Sequence, residues 1–164
     1  MSSSRNRSPT FVSLLRRPVH LLAFGFGSGL SPAGPGTAGT VLAVPLYLLI
    51  ARLPLGLYAV LVATGFLAGI WLCGKAARDL GVHDHPGIVW DEIIGYLLTM
   101  TAMPVTPLSV LGGFFAFRLF DIAKPWPVGW SDRKVGGGLG IMLDDALAAG
   151  YAWLALWALL HWWP

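Results

Sequence analysis

Two adjacent carboxylates, Asp91 and Glu92, follow Val89-Trp90 and stand directly before a run, 93–117, that contains no charged side chain. A carboxylate at the edge of an apolar wall is costly unless it is paired or bound to a cation. The arrangement recurs: Asp121, Asp144 and Asp145 also lie at the margins of apolar runs. Singly, each acid is as readily a solvated helix-end residue as a functional one. Together, the five predict a shared site around a magnesium ion on one face of a membrane protein.

Composition supports the membrane half of that expectation. Hydrophobic residues make up 55% of the chain and charged residues 12%. A soluble domain carries about 25% charged residues. Eight tryptophans suit a water–lipid interface. The lone cysteine, Cys73, excludes an internal disulfide and reads as a small core or lipid-facing residue. A net charge of +3 without a dense basic run argues against nucleic acid as a partner.

Residues 1–17, with Arg5, Arg7, Arg16 and Arg17, read as a basic cytoplasmic tail, flexible at its start, ahead of a single membrane-embedded domain over 18–164. A signal peptide would continue into a compact apolar region and a cleavage site, but a Gly/Pro-rich segment follows instead. Val19 to Phe26 suits a short interfacial helix. Gly25–Thr37 holds five glycines and two prolines, which exclude a regular helix. Thr37 or Thr40 then caps a helix to about Ile50, kinked at Pro45. Leu55 to Gly74 forms a second span, followed by a polar loop with Lys75, Arg78, Asp79, His83, Asp84 and His85.

From Asp91 the run to Phe117 divides at Pro104-Val105-Thr106-Pro107 into two helices. That division returns Arg118, Lys124, Arg133 and Lys134 to the side of the N-terminal arginines, as the positive-inside rule prefers. A last span runs from about Asp145 to Trp162. The expected fold is all-α: a compact membrane bundle of about five helices plus an interfacial N-terminal helix. It places every acid, and every Lys and Arg except Arg52, on the inner face. Several helices are short, at about 14 residues or roughly 21 Å against a bilayer core of about 30 Å.

Asp91 and Glu92 diverge by about 100° on a helix. Both reach one ion only near the helix end, or one of them acts indirectly. Arg118, Asp121 and Lys124, at i, i+3 spacing, form either a solvated ion-pair ladder or a metal-binding carboxylate between two phosphate-binding cations. Two glycine-rich stretches, 25–37 and 136–140, offer backbone N–H groups to phosphate, Gly36 and Gly138 among them, or else pack short helices tightly. Ser28, Ser31 and Thr37 add hydroxyl donors. His83 and His85, flanking Asp84, are candidates for acid–base or orienting roles, although an exposed loop histidine is more often inert.

Four segments, Gly25–Thr37, His83–Glu92, Phe117–Pro127 and Gly137–Asp145, resemble phosphatidylglycerophosphatase A in sequence and in order. The resemblance implies a magnesium-dependent, helical enzyme of the bacterial inner membrane. Such an enzyme removes the terminal phosphate of phosphatidylglycerophosphate and leaves phosphatidylglycerol. Asp91, Glu92, Asp121, Asp144 and Asp145 are then the metal-binding and catalytic acids, and water is favoured over an aspartate as the attacking group. The rival readings are a cation-binding channel or carrier, which acids in mid-span would favour, and another metal-dependent lipid phosphotransferase. Oligomeric state is not legible in the sequence.

Overall fold

The computed structural model describes residues 9–162, and the regular structure among them is entirely helical. Residues 1–8, with Arg5 and Arg7, lie outside the described residues. The rest of the expected tail is ordered by its own sequence. Thr10 and Ser13 form a reciprocal capping box at the start of α1 (Phe11–Leu15), which buries Leu14 completely. α2 (Pro18–Ala23) covers the first part of the short helix expected over Val19 to Phe26 and stops at Ala23. A 3-10 segment, Gly25–Leu30, follows and is broken by positive φ at Phe26 and Gly27.

α3 (Pro35–Ile50) starts ahead of both expected caps. Gly34 takes a left-handed conformation, and Pro35 fills a first-turn position where its missing N–H leaves nothing unbonded. Thr37 and Thr40 therefore lie inside the helix, and the Thr40 hydroxyl donates back to the Gly36 carbonyl at 2.9 Å. α4 (Leu55–Leu80) outruns the expected Gly74 end. Lys75 and Asp79 pair across one turn at 3.0 Å, so the first part of the expected polar loop is helical, until Gly81 in left-handed geometry stops it.

α5 (Trp90–Thr99) and α6 (Pro107–Ala123) are separate, and the Thr106 hydroxyl accepts from the Ser109 amide to cap the second. After α7 (Val128–Lys134), α8 (Gly137–Trp162) begins two turns before the expected start at Asp145. The second glycine-rich stretch is thus largely the first turn of a helix rather than a loop. Asp144 and Asp145 consequently project from inside α8.

α8 is the axis: α4, α5, α6 and α7 pack against it, and α3 packs on α5. Because successive long helices alternate in direction, the starts of α3, α5 and α8 meet the ends of α4 and α6 at one end. Gly74 of α4 lies against Gly138 of α8, and Gly36 of α3 lies against Glu92 of α5. At the other end Tyr58 donates to the Leu97 carbonyl at 2.6 Å, and the Trp153 indole donates to that of Thr101 at 2.9 Å. The core between the ends is apolar and includes Cys73, Ile93, Tyr96, Phe117, Met142 and Leu156.

Among the described residues two helices, α4 and α8, are long and apolar enough to cross a membrane, against the about five membrane helices expected, several of them short. At 1.5 Å per residue, α3, α5 and α6 rise only about 24, 15 and 26 Å against a core of about 30 Å. α5 is also largely enclosed, with Ile93, Ile94, Tyr96 and Leu97 buried. α4 is its opposite: only 22% of its most apolar stretch is buried, leaving Leu61, Leu67 and Trp71 uncovered.

Gly138 has no room for a side chain, because an added Cβ would collide with the Ile70 carbonyl of α4. Gly138→Ala should force α4 and α8 apart and cost about 1–3 kcal/mol. Thermal melting in detergent checks this, and an unchanged melting temperature would mean that the two helices do not depend on that approach.

Candidate active site

The joined end of the bundle carries the acids. Asp91 and Glu92 occupy the first turn of α5, and Asp145 enters from α8. Each of the three offers an oxygen within 4.8 Å of the others. The helical divergence of Asp91 and Glu92 is accommodated because both lie at the helix start, where a group from another element can approach between them. Asp121, from the last turns of α6, lies against Asp145 and is bonded by the Arg118 guanidinium. Arg118 Nη1 also lies 3.9 Å from Glu92 Oε1. Asp144 joins from the neighbouring position on α8 and accepts from Lys124 Nζ at 2.9 Å.

Glycine makes this convergence possible. Gly36, in the first turn of α3, packs so closely on Glu92 and Arg118 that a Cβ there would overlap the Glu92 carboxylate. Gly95 is filled in the same way by the Phe117 ring, with Asp145 beside it, which brings α6 and α8 onto α5.

The site contains more negative charge than its own cations balance. Asp91 Oδ1, Glu92 Oε2, Asp144 Oδ1 and Asp145 Oδ2 are buried and have no hydrogen-bond partner. A buried carboxylate oxygen left unpartnered is strongly unfavourable. Hard oxygen donors from several carboxylates, close together and unsatisfied, suit a divalent cation of the magnesium type. The donor set therefore fits that ion: Asp91, Glu92 and Asp145 are the residues placed to hold it, with Asp121 and Asp144 beside them.

The remaining sequence candidates divide. Lys124 caps α6 in left-handed geometry and so leaves the helical ladder with Asp121. Its ammonium instead bridges Asp132 Oδ1 at 2.7 Å and Asp144 Oδ2 at 2.9 Å. Burial would lower its pKa, but the two carboxylates outweigh that and hold it well above the usual lysine range. Gly36 adjoins the acid cluster, with Thr37 next to it in the chain, whereas Gly138 serves helix packing. Ser28 and Ser31 donate to carbonyls of their own loop, those of Gly25 and Ala33.

His85 Nδ1 accepts from the Gly87 amide at 3.0 Å, and its ring lies against Phe24; burial pushes its pKa down. It therefore braces the loop that leads into α5. His83 faces Gly136. The Asp84 carboxyl is pushed up by burial, with Lys124 opposing. Sequence reasoning missed Asp132. Its signal, an acid just before Arg133-Lys134, reads as a solvated pair until α7 folds it back onto Lys124.

These features define an all-helical protein with a buried acid cluster, suited to a cation, where apolar helices meet. The phosphatidylglycerophosphatase A family model matches residues 21–160. Phosphatidylglycerophosphatase A of Escherichia coli (strain K12) is 48% identical over 151 residues, covering 92% of this chain and 88% of the relative. Its counterpart from Haemophilus influenzae is 45% identical over 156 residues, covering 92% and 93%. No solved structure matches. The chain belongs to the phosphatidylglycerophosphatase A family.

Proposed function

We propose that this protein is a magnesium-dependent phosphatase that hydrolyses the terminal phosphomonoester of phosphatidylglycerophosphate, giving phosphatidylglycerol for phospholipid synthesis. The observation that carries the reading is the cluster Asp91, Glu92 and Asp145, with unpartnered buried oxygens, in a chain of this family. Bound magnesium would supply positive charge to the transferring phosphoryl group. Arg118 is the protein's own cation at the cluster. Its guanidinium already touches Asp121, and its Nε is buried without a partner, so it has donor capacity left for a phosphate oxygen. Gly36 keeps that approach open, since any side chain there would fill it. Lys124 is a positioning residue that holds Asp144 against the cluster.

The reading also places the bundle in the bacterial inner membrane with its charged end at the cytoplasm. α4 and α8 cross the bilayer, and α3, α5 and α6 shelter against them as shorter membrane helices. A lipid phosphate lies at the bilayer surface, so the acid cluster must face that level. The channel or carrier alternative gains nothing from the acids inside α8. They sit near its charged end, beside cations, and do not line a path across the bundle.

Purified protein supplied with phosphatidylglycerophosphate and Mg²⁺ should release inorganic phosphate, and chelation should stop it. Asp121→Asn should collapse turnover, with partial recovery at raised magnesium. Lys124→Ala should lose roughly ten- to 150-fold in kcat/KM, equivalent to about 1.5–3 kcal/mol, because Asp144 loses the charged partner that holds it in place. Near-wild-type release by both variants would remove this segment from the active site.

Orientation has its own test. A cysteine at Thr106, in a Cys73→Ala background, should be labelled by a membrane-impermeant reagent from the periplasmic side. Labelling only from the cytoplasm would reverse the proposed topology.

A further inference from the structure

The charged end also carries a cavity away from the acid cluster, of about 320 Å³, lined by Arg16, Arg17, Val19, His20, Lys75 and Asp79. It lies on another side of α4 from the acid cluster. α4 faces α8 with Gly69, Cys73 and Gly74, and faces α2 with Lys75 and Asp79. The one acid in this cavity is already engaged: Asp79 accepts from Lys75 Nζ at 3.0 Å to both of its oxygens and contacts His20 Nε2 at 3.0 Å. His20 is buried and the other two are partly exposed, so the trio lines the cavity with its own charges already paired. Arg16 and Arg17 are exposed at the rim, and no carboxylate among the described residues pairs with them. The cavity is therefore cationic, with guanidinium groups free to bind an anion in the fork geometry that phosphate accepts.

The element that carries those arginines indicates where the anion resides. α1 buries Leu14 against the protein and turns Phe11, Val12 and Leu15 outward, each more than half exposed. Phe26 is uncovered nearby, and the Phe11 ring lies over Gly27. A short helix with one face anchored to the protein, the other apolar and bare, and two arginines at its end matches the physics of the bilayer surface. The apolar face enters the acyl boundary and the guanidinium groups sit at the level of lipid phosphates. A free phosphate would use the arginines but would leave the apolar face unexplained.

We infer that the cavity between the α1–α2 link, α2 and α4 is a phosphate-binding site, separate from the acid cluster, that takes the headgroup of an anionic phospholipid. The site fixes the N-terminal segment to the membrane surface beside the glycine-rich turn, whose Gly25 packs on Val89, just before α5, and on Ile93 within it. This inference does not depend on which reaction the acid cluster performs.

The test is a lipid titration of the full-length protein in neutral detergent, read by native mass spectrometry. Phosphatidylglycerol and phosphatidylcholine are compared, with inorganic phosphate as a competitor. The wild type should retain phosphatidylglycerol over phosphatidylcholine. The double variant Arg16→Ala/Arg17→Ala should bind the anionic lipid roughly 30-fold more weakly, since each arginine near an anionic surface contributes about fivefold. Arg16→Lys/Arg17→Lys should recover part of it, because the charge returns without the fork, which excludes misfolding as the cause. Unchanged retention of phosphatidylglycerol in the double alanine variant would overturn the inference. So would complete displacement of the lipid by millimolar inorganic phosphate, which would assign the cavity to the free anion.

Discussion

The structure depends on mutual repulsion among buried carboxylates being overcome. Asp91, Glu92 and Asp145 hold oxygens within 4.8 Å of one another, with Asp121 and Asp144 adjoining. Arg118 and Lys124 compensate part of that charge from the rim, each bonded to an outer member of the group. They leave the inner oxygens unsatisfied. An apolar protein that concentrates its acids in this way favours a further positive charge at their centre, and oxygen-only ligands of this kind suit a divalent cation.

The rest of the fold delivers those acids to one place. Alternating helix directions bring three helix starts and two helix ends together. Gly138 then lets the backbones of α4 and α8 approach closely, while Gly36 and Gly95 leave room for the side chains of Glu92 and Phe117. The arrangement also separates tasks along α8, whose charged end carries the acid pair while the rest packs into an apolar core. Short α5 is buried because it has to hold Asp91 and Glu92 inside the bundle, whereas α4 can face lipid along most of its length.

Much of this was legible in the sequence because charge is scarce. Acids that interrupt apolar runs stood out, and the division of 93–117 at its prolines was recoverable from turn chemistry. What escaped were boundaries set by local pairing and backbone geometry. The Lys75–Asp79 pair extends α4 through residues that look like a loop, and α8 absorbs a glycine-rich stretch that looks like a phosphate cradle. Gly138 illustrates the ambiguity: a glycine near a candidate site serves either ligand approach or helix approach, and only the partner helix decides. Lys124 was misdirected for a related reason. Its left-handed cap carries it away from Asp121 and onto Asp132, a residue that spacing alone could not select. Of the about five membrane helices expected, several of them short, two have the length and apolarity to cross a bilayer among the described residues, since counting apolar runs does not separate a membrane-crossing helix from a short one enclosed by its neighbours.

Thermal melting of the detergent-solubilised protein with and without Mg²⁺ tests the central claim most directly, because the acid cluster predicts opposite effects of one substitution. The wild type should gain stability with magnesium, by about 2.7 kcal/mol at one hundred times the dissociation constant. Asp145→Asn removes one of the repelling charges, so without magnesium it should melt at or above the wild-type temperature, while its response to magnesium should largely vanish. A wild type indifferent to magnesium, or an Asp145→Asn variant stabilised by it as strongly as the wild type, would contradict the account.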